Sequence, residues 1–368
     1  MPFEIERIYL DEKAAGDWVS RAILKNLPHV PVEEVRDKKV LIKEAHSRRD
    51  PIGSGKKDIF ITRFHGKRVK PCPGTSRHIC CGYHVINAQT NCPMDCSYCV
   101  LQGYLNNPFL TLYSNWEELL GEVESFLSRE HPVLPRIGTG EFSDSLALDP
   151  IFPISSELVR CFAEKERGVL ELKTKTSEVG HLMGLEHREK TIVSWSLNPS
   201  PIIQLEEKGT ASLEERMDAA YCCQQRGYPV GFHFDPLIQD RGWEHAYEEV
   251  VERLSQKMDS GRIAWISLGG FRYPGDLKGT AQERFPRSRV FLGELFPCKD
   301  GKFRYLREIR VEMYRKLVDW LREWNPDLFI YLCMESREVW MDVFGWSPSG
   351  TSHLSRLFEE QLKKMRKE

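Results

Sequence analysis

The chain has 368 residues, 41% of them hydrophobic and 29% charged, with a formal net charge of −2. That length supports one large barrel-like core or two domains, and the near-zero charge gives no overall attraction to a polyanion. No apolar run approaches the ~18 residues of a spanning helix, and Glu4, Glu6 and Asp11 near the N-terminus argue against a secretory signal.

Taken in order, residues 1–80 read as an N-terminal basic module. A short strand is expected near Phe3–Leu10, a helix over Ala14–Lys25 and a strand near Asp58–Phe64. Residues 36–70 hold 12 Lys and Arg against 4 acids, a local charge of +8 in a chain of −2. Such asymmetry can mark a surface for a phosphate backbone, DNA or another nucleic acid; a solvated basic face is the competing reading. Lys70-Pro71-Cys72-Pro73-Gly74-Thr75 is loop by its prolines and glycine, and Cys80–Asn87 is a strand candidate that runs into a cysteine cluster.

That cluster is Cys92-Pro93-Met94-Asp95-Cys96-Ser97-Tyr98-Cys99, three cysteines at C-x3-C-x2-C spacing in loop-forming company. Three thiolates so close together can hold three irons of a [4Fe–4S] cubane and leave the fourth iron open for another ligand. A structural zinc site, with His84 or Cys81 as fourth ligand, is the alternative; three inert buried thiols is the blandest. Eleven cysteines with three in a cluster pattern fit a reducing cytoplasm better than a disulfide framework. Cys72, Cys80 and Cys81 lie upstream and could bind a second metal, supply a hydrogen atom if their loop folds over the barrel mouth, or pack on the barrel rim; Cys222-Cys223 fall mid-helix as packing residues.

Beyond Cys99 strands and helices alternate. Helices are expected after Ser114 and Ser212, each with Glu at capping-box spacing, and over Ser155–Glu166, Glu178–Leu185, Glu244–Met258 and Arg304–Glu323. Strands are expected at Leu134–Gly138, Val169–Thr174, Thr191–Leu197, Pro229–Phe234, Ile263–Leu268 and Leu328–Leu332. With the strand before the cysteines this makes about seven parallel strands, an α/β fold built as an incomplete barrel over 81–335, with a C-terminal extension at 336–368. Chemistry in such folds gathers at the C-terminal strand ends. Those ends carry Gly138–Asp144, Lys173-Thr174-Lys175, Ser196-Leu197-Asn198 and His233–Pro236.

The cysteine motif with Val100-Leu101-Gln102, Tyr104-Leu105 and Pro108–Asn115 resembles the spore photoproduct lyase family of radical S-adenosylmethionine (SAM) enzymes. Ser143-Asp144, Thr174-Lys175, Ser196-Leu197-Asn198, Gly231–Pro236 and Gly242-Trp243-Glu244 follow in the same order, so the resemblance covers roughly residues 85–250. It implies a [4Fe–4S] cluster on Cys92, Cys96 and Cys99, with SAM on its open iron, cleaved to a 5′-deoxyadenosyl radical for repair of thymine dimers in DNA. It also implies SAM contacts from Glu141, Ser143, Lys175, Ser196 and Asn198, a place for Tyr98 in hydrogen-atom return, and a reductase as electron donor. Two positions depart from the family. Glu141-Phe142 stand where the lyase has a hydrogen-donating cysteine before its Ser-Asp pair, and Val100 stands where it has a tyrosine. A radical SAM enzyme acting on a metabolite or peptide, and a non-catalytic zinc-stabilised nucleic-acid-binding protein, are the alternative functions.

Three further features invite a role. Lys299, Lys302, Arg304 and Arg307 form a basic patch suited to a phosphate or to solvent. Arg272 and Tyr273 after Gly269-Gly270 could stack on a base or simply make a turn, and Trp340 and Trp346 are expected to close the barrel bottom or rim, with a partner surface as the alternative.

Overall fold

Apolar runs such as Thr191-Ile192-Val193-Ser194-Trp195-Ser196 are buried along their whole length, as strands covered on both faces must be. Seven such strands form one parallel sheet: His84–Ile86, Arg136–Gly138, Val169–Thr174, Thr191–Ser196, Val230–Leu237, Ile263–Gly270 and Ile330–Leu332. Their order in the sheet is their order in the chain, so every crossover lands beside the strand just left, which is barrel winding. The computed structural model describes residues 3–75 and 78–366. Val69–Pro71 pairs antiparallel with His84–Ile86 at one edge, and Ile330–Leu332 ends the other, so the barrel is open. The segment after Val69–Pro71 and the C-terminal helix Thr351–Met365 lie near that opening: Ile79 bridges Glu335, and Arg136 sits 3.4 Å over the Phe358 ring.

The N-terminal strands build a second sheet. Val32–Val35, Arg7–Asp11, Asp58–Thr62 and Leu110–Tyr113 run parallel, with Gln89–Thr90 antiparallel at the edge. Two of these strands come from beyond residue 80, so this sheet crosses the expected module boundary. Strands of two to four residues carry too little alternation to be read from sequence.

Helix starts divide instructively. Ser212 and Glu215 form the expected reciprocal cap of Leu213–Gln225. Ser114 does not cap its helix; its hydroxyl donates to Asp17 at 2.6 Å and Asn115 takes the N-cap of Trp116–Leu127. The helix expected at Glu178–Leu185 shrinks to a 3-10 turn, Gly180–Leu182, where two glycines weaken any longer helix.

Candidate active site at the three-cysteine loop

The cysteine loop is pinned from several directions. Asn91 adopts φ 68°, accepts from the Cys92 amide at 2.9 Å and donates to the Pro108 carbonyl at 2.6 Å. Asp95 is gripped by both Arg284 Nη2 contacts, at 2.9 and 3.0 Å, and by Lys56 at 3.4 Å. Asp95-Cys96 pairs antiparallel with Glu207-Lys208, and the Ser97 amide donates to the Glu206 carbonyl at 2.8 Å. Gln102 reaches back to the carbonyls of Cys96 and Ser97. A loop of this composition would otherwise be mobile; here distant charged groups fix it.

Cys92, Cys96 and Cys99 line one cavity of about 310 Å³ together with Glu141, Ser143, Lys175 and Ser196. The strand ends expected from the sequence converge there, joined by Phe271, Arg272 and Met334 beyond the last two strands. Burial, then Asp144, pushes the Cys92 thiol up to about 12, and burial pushes Cys96 up as well. Thiolates at these positions therefore need a metal to displace the proton. Among the described residues no group of three or more His, Cys, Asp or Glu closes around a single ion. The donor set of three free thiols on one cavity fits a cubane, in which each sulfur takes a different iron.

Beneath the cavity lies a residue the sequence did not single out. The Glu207 side chain is fully buried and accepts from the Tyr98 hydroxyl, from Asn198 at 2.8 Å, Lys175 at 3.1 Å and Arg216 at 2.5 Å. Burial would raise its carboxyl, but Lys175 and Arg216 hold it well below the usual carboxylate range. Asn198 also accepts from Tyr247 at 2.7 Å and does not line the cavity, whereas Lys175 lines it and touches the Tyr98 hydroxyl at 3.1 Å. Nothing local marks Glu207, because its partners lie 9 to 109 residues away.

The flanking residues are equally organised. Asp144 accepts from the Leu146, Ala147 and Lys175 amides and from the Thr174 hydroxyl, making it a hub between strand ends. Ser143 accepts from Gln89 at 3.2 Å. Glu141 meets Lys173 at 3.3 Å, and Lys173 is held cationic, its pKa raised against burial by Glu141, Asp235 and Glu171. Asp235 takes two 3.1 Å contacts from Arg272. Tyr273 is buried against Phe271, Phe291 and Phe303, unavailable to stack on a base. The basic patch is largely spent: Arg304 pairs with Asp300, Arg307 with Asp342, and Lys302 donates to Thr75 at 2.9 Å. Trp340 is buried beside Phe344 while Trp346 is 41% exposed. A larger cavity, about 560 Å³, adjoins the first and is lined by Cys72, Cys80, Cys81 and Cys333.

Residues 77–321 match the family model described as spore photoproduct lyase. The chain belongs to the spore photoproduct lyase family. Spore photoproduct lyase of Bacillus subtilis (strain 168) is 28% identical over 214 residues, 57% of this chain and 63% of the relative. That of Geobacillus sp. (strain Y412MC61) is 26% identical over the same shares. The match thus spans less than two thirds of the length of these curated relatives. A solved spore photoproduct lyase mutant superposes with a TM-score of 0.80 at 20% identity, covering 90% of this chain and all of that one. Another, with bound AdoMet and dinucleoside spore photoproduct, has a TM-score of 0.78 with the same identity and coverage. At that identity the likeness shows the fold, a curled parallel half-barrel.

Within this lyase fold the two departures take definite places. Glu141 faces the cavity and Phe142 stacks on Tyr104 with ring centroids 6.0 Å apart. Val100 lines the cavity mouth and is 47% exposed. Among the described residues no helix is long and apolar enough to cross a membrane.

Proposed function

We propose that this protein is a radical SAM enzyme that acts on photodamaged DNA, with Cys92, Cys96 and Cys99 holding a [4Fe–4S] cluster. The observation that carries it is the convergence of three free thiols with the Glu141 carboxylate and the Lys175 ammonium, among other charged groups, on a single cavity at the strand ends. When bound, the cluster and SAM supply an electron and a 5′-deoxyadenosyl radical at that cavity. Glu141 is the acceptor for the ammonium of the SAM methionyl group, and Lys175 is the donor to its carboxylate. Ser143 and Ser196 offer hydroxyls along the same wall, while Asn198 acts through Glu207, which holds Lys175 and Tyr98 in place. Phe271, Pro236 and Met94 give the cavity an apolar side that excludes water from a reactive radical. Tyr98 is the nearby phenol for hydrogen-atom return. A relative's structure carries AdoMet and dinucleoside spore photoproduct, which supports these ligand classes. A low-potential reductase in the cytoplasm is the electron donor the chemistry requires.

A second reading keeps the radical chemistry and changes the substrate to something other than nucleic acid. It is favoured by Glu141-Phe142 in place of a cysteine, and by the internal pairing of Arg48, Lys56, Lys57, Arg63 and Arg68. The deciding experiment is anaerobic: reconstituted protein, reductant and SAM, with and without a thymine-dimer oligonucleotide. Deoxyadenosine and restored thymine rising together support repair. Deoxyadenosine alone supports the second reading; a colourless protein that forms neither would return the site to zinc, whose filled d shell does not absorb visible light.

A further inference from the structure

A carbon radical made in this cavity needs a hydrogen atom to become a closed-shell product, and thiols give hydrogen atoms to carbon radicals faster than phenols do. Of eleven cysteines, three line the SAM-sized cavity as cluster ligands and Cys161, Cys222, Cys223 and Cys298 line neither cavity. The remaining four, Cys72, Cys80, Cys81 and Cys333, all line the larger cavity next door. The two cavities share Glu141, Lys173, Asp235 and Met334 in their walls.

Cys333 lines the larger cavity only, but it is next in the chain to Met334 of that shared wall. It directly follows the last parallel strand, Ile330–Leu332, and its amide donates to the Leu268 carbonyl at 2.8 Å. Met334, next in the chain, holds φ 54°, a left-handed turn uncommon for a side chain of that size and a device for aiming its neighbour. The Cys333 sulfur accepts from Arg272 at 3.5 Å, and Arg272 itself lines the three-cysteine cavity and holds Asp235 with two 3.1 Å contacts. Space for this arrangement is made by Gly269, where a Cβ would come within 2.7 Å of the Asp235 carboxyl. The three other thiols, Cys72, Cys80 and Cys81, line the larger cavity as Cys333 does, but among the described residues none of them hydrogen-bonds Arg272. Burial and Asp235 keep the Cys333 thiol protonated, the form that donates a hydrogen atom.

We propose that Cys333 is the hydrogen-atom donor that quenches the substrate radical, in place of a cysteine at the Glu141-Phe142 position. The proposal rests on the radical reading above. In the step, the Cys333 S–H bond breaks homolytically and a C–H bond forms on the substrate, leaving a thiyl radical. One electron from the low-potential reductase and one proton, delivered beside Asp235, return the thiyl to thiol. One SAM is then consumed for each product formed.

The test uses the reconstituted full chain with SAM, reductant and a thymine-dimer oligonucleotide in deuterated water, following deoxyadenosine and the deuterium content of the repaired thymine. Wild type is expected to place one solvent-derived, carbon-bound deuterium in product at about one deoxyadenosine per repair. Cys333→Ser keeps the size and polarity of the side chain but has an O–H bond too strong to donate. It and Cys333→Ala are expected to keep deoxyadenosine formation within about twofold while repaired product falls at least tenfold. Iron content and SAM binding, measured in parallel, should match wild type. Unchanged repair and deuterium in both variants would overturn the proposal, as would the same loss appearing only in Cys72→Ala, Cys80→Ala or Cys81→Ala. Wild type that forms no deoxyadenosine would bring down the radical reading itself, and Cys333 with it.

Discussion

Glu207 and Glu141 are both carboxylates near the cavity, yet their surroundings give them opposite tasks. Glu207 is enclosed and already satisfied by four donors, so its removal leaves the buried Arg216 and the part-buried Lys175 without an acidic partner among the described residues. Breaking such a buried pair costs about 3–5 kcal/mol, and Glu207→Ala should lose stability of that order in denaturant titration. A loss within 0.5 kcal/mol, the scale of ordinary surface substitutions, would place Glu207 outside the folding core. Glu141 is only half-buried and has one cationic partner, Lys173, which leaves acceptor capacity for an incoming ammonium. A charged hydrogen bond contributes about 1.5–3 kcal/mol, so Glu141→Ala should weaken SAM binding about tenfold or more by calorimetry with iron content unchanged. Equal affinity in the variant would remove Glu141 from the ammonium site.

At the scale of elements, one buried carboxylate ties four adjacent strands together. Glu171 on Val169–Thr174 accepts from Ser194 at 2.8 Å, His233 at 2.8 Å and Trp265 at 2.9 Å, each on a successive strand. Burial alone would raise its pKa, but the hydrogen bond and charge of His233 bring it from 4.5 to about 2. A depressed folded pKa adds stability above the unfolded value and loses it as pH falls through the folded one. Wild type should therefore exceed Glu171→Gln in stability at neutral pH, with the gap narrowing between pH 4.5 and about 2; a gap constant across that range would unlink the carboxylate from acid unfolding. The strands carrying this network were legible from their apolar runs, and their winding followed from strict alternation with helices. The three-cysteine loop was legible too, from spacing alone. What holds that loop was not, because Arg284, Lys56 and Glu206 reach it from 39 to 189 residues away. Sequence periodicity reports a residue's own element and is silent on its partners. Cys333 had a fainter signal, its place just past the last strand, where barrel chemistry gathers.

Across the whole molecule the basic segment 36–70 divides into two populations that composition could not separate. Arg36, Arg48, Lys56, Lys57, Arg63 and Arg68 each have an acidic partner, and Arg68 is buried over the Phe64 ring. Lys38, Lys39, Lys43, Arg49, Lys67 and Lys70 are exposed and have no ion pair among the described residues. Only this second set can trade counterions for DNA phosphates. Lys38, Lys39 and Lys43 fall on one helix, Lys38–His46, and form the densest part of it. Each phosphate contact contributes about 0.9 to the slope of log affinity against log salt on duplex DNA. Replacing those three lysines by Gln should lower the slope by up to about 2.7 with the fold intact. Replacing Lys56 or Arg68 should instead cost stability and leave the slope of the folded fraction alone. Fluorescence titration of a duplex at several salt concentrations distinguishes the two sets. A slope untouched by the triple variant would assign these lysines to solvent and shift the balance towards a substrate other than DNA.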